Sequence, residues 1–217
     1  VQNFKTKGKI FMRPHEIEDL SFSIIKKEAG PHGFSPAQWR IVSRMIHTSA
    51  DFEYLQSIRF HPEAISAGIQ AIQTGQTIVT DTNMAKAGIR KTDAARFGCR
   101  VDCLMQDPEV KKQAAAKGTT RAAAAVDAAS DQAKGGIFVV GNAPTALMRI
   151  IEQIRAGRTI PALVVGLPVG FVNAAESKQM LTKTNVAHIT NMGRKGGSAV
   201  AAAVINALFS LAAEKGA

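Results

Sequence analysis

The sequence predicts an α/β fold in which helices cover both faces of a parallel sheet of about five strands, with a helical N-terminal extension. Three observations carry this reading. From Gln76 onward, short apolar runs rich in β-branched residues alternate with helical patterns, which is the order a parallel sheet with crossover helices imposes. Each run leads into a Gly, Asn, Asp or Thr cluster followed by a helix signal. The segment before Gln76 instead has the 3.6-residue spacing of amphipathic helices.

Along the chain, residues 1–12 are polar and basic and lack an apolar core, so they read as a flexible extension of a single domain spanning 1–217. Ser35-Pro36-Ala37-Gln38 supplies an N-cap, a proline at the first helical position and a capping-box glutamine, so a helix starts at Pro36. Its apolar stripe is Ile41, Val42, Met45 and Ile46, and Arg44 and His47, three apart, share a neighbouring face. The strand candidates are Thr77 to Thr80, Cys99 to Cys103, Ile137 to Val140, Ala162 to Val165 and Ala187 to Thr190. Crossover connections between parallel strands place helices over both faces, giving a three-layer sandwich. The apolar stretch from Ala199 to Ala213 is shorter than the roughly 20 residues a membrane-spanning helix needs, and it carries Asn206 and Ser210. It is expected to be a packed helix, with alanines that permit close approach in the core or at a subunit interface.

Three glycine-bearing loops fall after predicted strands: Gly141-Asn142-Ala143-Pro144-Thr145, Gly166-Leu167-Pro168-Val169-Gly170, and Gly193-Arg194-Lys195-Gly196-Gly197-Ser198. Ligands of open parallel sheets collect outside the carboxyl ends of the strands. The three loops, with Asp81-Thr82-Asn83-Met84, are therefore expected to share one rim. No phosphate-loop spacing or dinucleotide fingerprint is present.

With 217 residues, 46% hydrophobic and 20% charged, the chain can bury one substantial core. Its net charge of +10 attracts anions. Nucleic acid is the usual partner of such a charge, but Lys and Arg are scattered and one Trp and one Tyr offer no stacking platform, so a small polyanion fits equally well. No signal peptide or membrane span is read from the sequence. Cys99 and Cys103 lie on one face of an extended run, too far apart to bond, and no His and Cys cluster completes a zinc pattern. A reducing cytoplasm fits. His47, near a helix end where positive charge is favoured, is the leading catalytic candidate, although a histidine capping carbonyls accounts for the same residues. Arg121, at a helix start in Gly118-Thr119-Thr120-Arg121, offers a planar fork for a carboxylate, although a solvated arginine accounts for it equally well.

Taken together, Ser21-Phe22-Ser23-Ile24-Ile25, Arg44-Met45-Ile46-His47, Asp81-Thr82-Asn83-Met84, Gly118-Thr119-Thr120-Arg121, Gly141 to Leu147, Pro168 to Val172 with Glu176-Ser177-Lys178, and Gly193 to Ser198 resemble the precorrin-8X methylmutase family, some of whose members act on cobalt-precorrin-8. The resemblance runs from about Arg13 to Leu211. It implies a flavodoxin-like fold, a cytoplasmic homodimer with its site near the subunit interface, and an isomerase of cobalamin biosynthesis. The implied reaction moves a methyl group from C-11 to C-12 of the corrin precursor, giving hydrogenobyrinate or cobyrinate.

The resemblance places the catalytic histidine on His47 and substrate contacts on Ser21 and Arg44. It lines the rest of the pocket with Asp81, Thr82, Arg121, Asn142, Thr145, Gly193, Arg194, Gly196, Gly197 and Ser198. It implies no metal and no cofactor, because the methyl migration is a [1,5]-sigmatropic shift. The implied substrate's acetate and propionate groups account for the basic charge without nucleic acid, and hand-over to neighbouring cobalamin-pathway enzymes is expected. Asp51, four residues past His47, is given no orienting role. A corrinoid carrier without catalysis needs the same basic pocket but not His47. A phosphate- or nucleotide-binding module is disfavoured by its missing motifs.

Overall fold

A computed structural model describes residues 13–214, so the extension predicted for 1–12 lies outside the described residues. The described strands are β1 (Ile58–Phe60), β2 (Ile78–Thr80), β3 (Val101–Asp102), β4 (Ile137–Val140), β5 (Leu163–Gly166) and β6 (His188–Asn191). The helices are α1 (Pro14–Ala29), α2 (Pro36–Ser49), α3 (Tyr54–Ser57), α4 (Ala64–Gln73), α5 (Asn83–Gly88), α6 (Lys91–Arg96), α7 (Pro108–Ala116), α8 (Arg121–Ala129), α9 (Pro144–Arg155), α10 (Ala174–Leu181) and α11 (Ser198–Glu214). Strand order is β1-β6-β5-β4-β2-β3. All pairings are parallel except β1 with β6. Counted from β2, the parallel strands follow the flavodoxin order 2-1-3-4-5.

The five expected strands are present, with ends shifted by a residue or two. The sixth, β1, was not expected. Its three residues, flanked by the turn of α3 and the start of α4, are too few to express an alternating pattern. Its place is set by antiparallel pairing of Ile58, Arg59 and Phe60 with Asn191, Thr190 and Ile189.

Alternation along β4 sorts the two faces. Ile137 and Val139 join a core built with α2, α4 and α11, whereas Phe138 and Val140 join one built with α8, α9 and α10. This is the period-two geometry of a strand buried on both sides. Helix α2 begins as expected: the Gln38 amide donates to Ser35 Oγ at 3.3 Å, and Gln38 Oε1 accepts from the Ser35 amide at 2.9 Å. Helix α11 packs against α2, α4 and α5. Its Ala201, Ala202 and Ala212 are buried, so neighbouring backbones approach closely. No helix among the described residues is long and apolar enough to cross a membrane.

The expected rim forms, and its loops are stitched by backbone. The Gly170 amide donates to Arg194 O at 3.1 Å, and the Gly197 amide donates to Leu167 O at 2.9 Å. A Cβ on Gly141 would stand 2.5 Å from Ser198 Cα, and one on Gly196 would stand 2.2 Å from Leu167 O. These positions exclude any side chain because backbone occupies the space.

Beneath the rim, fully buried Lys178 donates to Lys195 O at 2.6 Å and to Asn191 Oδ1 at 3.2 Å. Asn191 Nδ2 donates to the same Lys195 carbonyl at 2.9 Å. The Lys195 ammonium reaches the other way, to Asp51 Oδ2 at 2.7 Å and to Glu53, and those carboxylates hold it above its ordinary value. The loop after β6 is thus gripped at one residue from below and from the side.

Two expectations follow. Ala201→Leu should overpack the α11 interface and cost about 1–3 kcal/mol in urea unfolding. Burial pushes the Lys178 ammonium down to about 8, so between pH 8 and about 10.5 the unfolded chain keeps a proton that the fold has released. Stability therefore rises with pH across that window, and the gain is gone once pH has fallen to 8. Relative to Lys178→Met, the wild type should gain up to about 3 kcal/mol over that range; a constant difference between the two unfolding curves would refute this.

Candidate active site

Doubly wound sheets open a crevice where successive connections leave in opposite directions, here between β2 and β4. Asp81 follows β2 and lies across this crevice. Its Oδ1 accepts from the Gly141 amide at 2.9 Å, and its Oδ2 accepts from the Asn142 and Ala143 amides at 2.8 and 2.7 Å. Burial raises the proton affinity of this carboxyl, and the three amides act against burial. Asp81 is buried with both oxygens engaged, and its carboxylate holds the loop after β4. Thr82 caps α5, its Oγ1 accepting from the Ala85 amide at 3.0 Å, and stands 2.8 Å from the hydroxyl of Ser198 at the start of α11. Asn142, Gly193 and Arg194 are exposed on the rim, and Gly196 and Gly197 are half-buried.

His47 is exposed in the last turn of α2. Its ring stacks on Phe22 of α1 at 4.9 Å and 18°. The Arg44 guanidinium lies 4.7 Å from the centre of the same phenyl ring and binds Glu18 Oε1 at 2.6 Å. That hydrogen bond holds the Glu18 carboxyl below its usual range. Arg44 and His47 open into a cleft of about 330 Å³ against Ala199, Ala202 and Asn206 of α11. A second cleft of about 530 Å³ between α1, α2 and α11 shares Arg44. Its lining includes Ser23 but not Ser21, whose hydroxyl donates to Ile17 O at 2.7 Å.

Asp51 faces Lys195 rather than His47. Partial burial raises its carboxyl, but Lys195 and the Glu53 amide outweigh this and leave it below its ordinary value. No group of three or more His, Cys, Asp or Glu side chains that could hold a metal occurs among the described residues.

Thr145 and Arg121 lie in the opposite helical layer. The Thr120 hydroxyl donates to Thr145 Oγ1 at 3.0 Å, joining the starts of α8 and α9 beside a separate cleft of about 370 Å³. The sequence-predicted residues therefore gather as His47 with Arg44 on one side of the sheet, Thr145 with Arg121 on the other, and the Gly loops between. Phe22, Lys178, Asn191 and Glu53 had no assigned role. Phe22 and Lys178 stand in the motifs Ser21 to Ile25 and Glu176 to Lys178, which was the one signal available for them; Asn191 and Glu53 carried none.

The family model for precorrin-8X methylmutase matches residues 16–211. A cobalt-precorrin-8 methylmutase from Priestia megaterium is 47% identical, covering 97% of this chain and 94% of the relative. A precorrin-8X methylmutase from Pseudomonas aeruginosa is 38% identical, covering 87% and 91%. The crystal structure of a precorrin-8X methylmutase from Thermus thermophilus superposes with a TM-score of 0.87 at 48% identity, covering 93% of this chain and 98% of the other. With the family model matched over residues 16–211 and relatives this similar along nearly their whole length, the chain belongs to the precorrin-8X methylmutase family.

Proposed function

We propose that this protein is an isomerase of cobalamin biosynthesis that moves a methyl group from C-11 to C-12 of precorrin-8X or its cobalt-containing counterpart, giving hydrogenobyrinate or cobyrinate. Beyond family membership, one observation carries the reading. His47 is exposed, makes no hydrogen bond among the described residues, and is fixed by stacking on Phe22 beside Arg44. A histidine that only capped its helix would spend a ring nitrogen on a carbonyl, yet the cap of α2 is made by the Ala50 amide donating to Ile46 O at 2.7 Å.

The migrating methyl keeps its bond electrons within the conjugated macrocycle, so the protein's work is to hold one tautomer and one shape. His47 donates a proton to a ring nitrogen, which makes the acceptor carbon electron-poor. Arg44, Arg121 and Arg194 receive peripheral carboxylates, and the rim amides and hydroxyls, including Thr82 and Ser198, set the macrocycle's height. Asp81 acts through the loop it holds. A homodimer belongs to the same proposal, supported by the exposed stripe Ile17, Leu20 and Ile24 on α1, three and four residues apart on one helical face. So do a cytoplasmic location and hand-over of product to a neighbouring enzyme of the pathway. Light scattering at micromolar concentration should give twice the chain mass, and a monomer at every concentration would remove the dimer.

His47→Ala should lower turnover by about 10²- to 10⁴-fold with a much smaller change in affinity. Near-wild-type conversion in single-turnover absorbance would leave the histidine without a chemical role and favour a carrier. Tetrapyrrole polycarboxylate binding should weaken from low to moderate ionic strength, because exposed charges are screened over about 10 Å at 0.1 M salt; salt-independent affinity would count against carboxylate recognition.

A further inference from the structure

The loop between β5 and α10 presents Val169, Phe171 and Val172 at 44%, 84% and 77% exposure. Phe171 is the most exposed large apolar residue described. An apolar cluster on the surface lacks compensation unless something covers it. This one is not a loose tip: the Val169 amide donates to Gly141 O at 3.4 Å and the Gly170 amide to Arg194 O at 3.1 Å. Asn173, at φ 60°, turns the chain directly into α10. The phenyl ring is therefore held outward by a fixed backbone.

Beside it, the Arg194 guanidinium lies 5.5 Å from the Phe171 ring centre and makes no ion pair among the described residues. Arg44 and Arg90 are instead matched to Glu18 and Asp93. An apolar ring next to an uncompensated cation, at the carboxyl edge of the sheet, complements a ligand that is apolar across its face and anionic at its margin. The other exposed apolar stripe belongs to α1 rather than to the rim loops.

We infer that Phe171, Val172 and Arg194 form a two-part recognition lip, in which the apolar side chains cover one face of the tetrapyrrole and the guanidinium takes one of its peripheral carboxylates. This rests on the proposed function. It makes Phe171 a specificity-determining contact that the family motif alone did not assign. A linear polycarboxylate or a small phosphate ester would satisfy Arg194 but leave the ring uncovered. The lip therefore selects a wide, flat anion.

The test uses the full chain with hydrogenobyrinate as probe and precorrin-8X as substrate. Because Phe171 is exposed, Phe171→Ala should fold normally. It should raise KM roughly 10-fold or more, as expected for losing one buried aromatic contact, with kcat within about threefold because the proton donor is untouched. Arg194→Ala should raise KM similarly and flatten its salt dependence. In Phe171→Trp, saturating hydrogenobyrinate should quench the added indole emission beyond any change in the wild type. Unaltered KM in Phe171→Ala, no added quenching in Phe171→Trp, or a changed oligomeric state with unchanged KM would each overturn the lip. Wild-type protein that binds neither hydrogenobyrinate nor cobyrinate and converts neither precorrin-8X nor its cobalt-containing counterpart would instead overturn the proposed function.

Discussion

The contact between Gly141 and the first turn of α11 governs the arrangement of the site. Backbone meets backbone there, and a Cβ would fall 2.5 Å from Ser198 Cα. This approach carries the start of α11 across the carboxyl end of β4. It brings Ser198 to Thr82 and sets Ala199 and Ala202 against the turn that bears His47. Moving α11 outward by the width of a methyl group would disturb the rim, the cleft and the α2 packing face together. The alanines along α11 extend the same economy of space, since each admits a neighbouring helix where a larger residue would hold it off.

Electrostatics tie the rim loops to this frame. Lys195 joins two regions distant in sequence, with its carbonyl bound by Lys178 and Asn191 and its ammonium by Asp51 and Glu53. The exposed ion pairs alone would contribute little. The buried donor gives the loop its definition, because a desolvated ammonium tolerates few alternative positions for its acceptors. The rim loop and the end of the His47 helix are coupled through one residue.

Much of the fold was legible in the sequence because strands buried on both faces, β4 and β5 above all, read as continuous apolar runs punctuated by turn clusters. Strand order was not legible in the residue pattern itself, since pairing depends on which face each crossover takes; it came only through the flavodoxin-like fold that the family resemblance implies. The antiparallel edge β1 was hidden by its length. In the site, Arg44 and His47 could be placed together because helical spacing alone puts residues three apart on one face. Their support on Phe22 crosses between helices and leaves no trace in local pattern. Asp81 was legible as a rim residue, but only the fold reveals that three amides converge on it. Lys178 stands in a family motif, but its burial shows only once the chain closes around it. Arg121 and Thr145 were grouped with His47 by motif, whereas the structure sets them across the sheet.

The Asp81 carboxylate has a consequence for life among other metabolites. Amides at the switch point of a doubly wound sheet are where such folds commonly seat a phosphate, and here an internal anion already occupies them. The protein carries its own competitor, tethered in place and never diluted. Abundant nucleotides and sugar phosphates find that berth taken, and the surface left for recognition is the broad ledge above it.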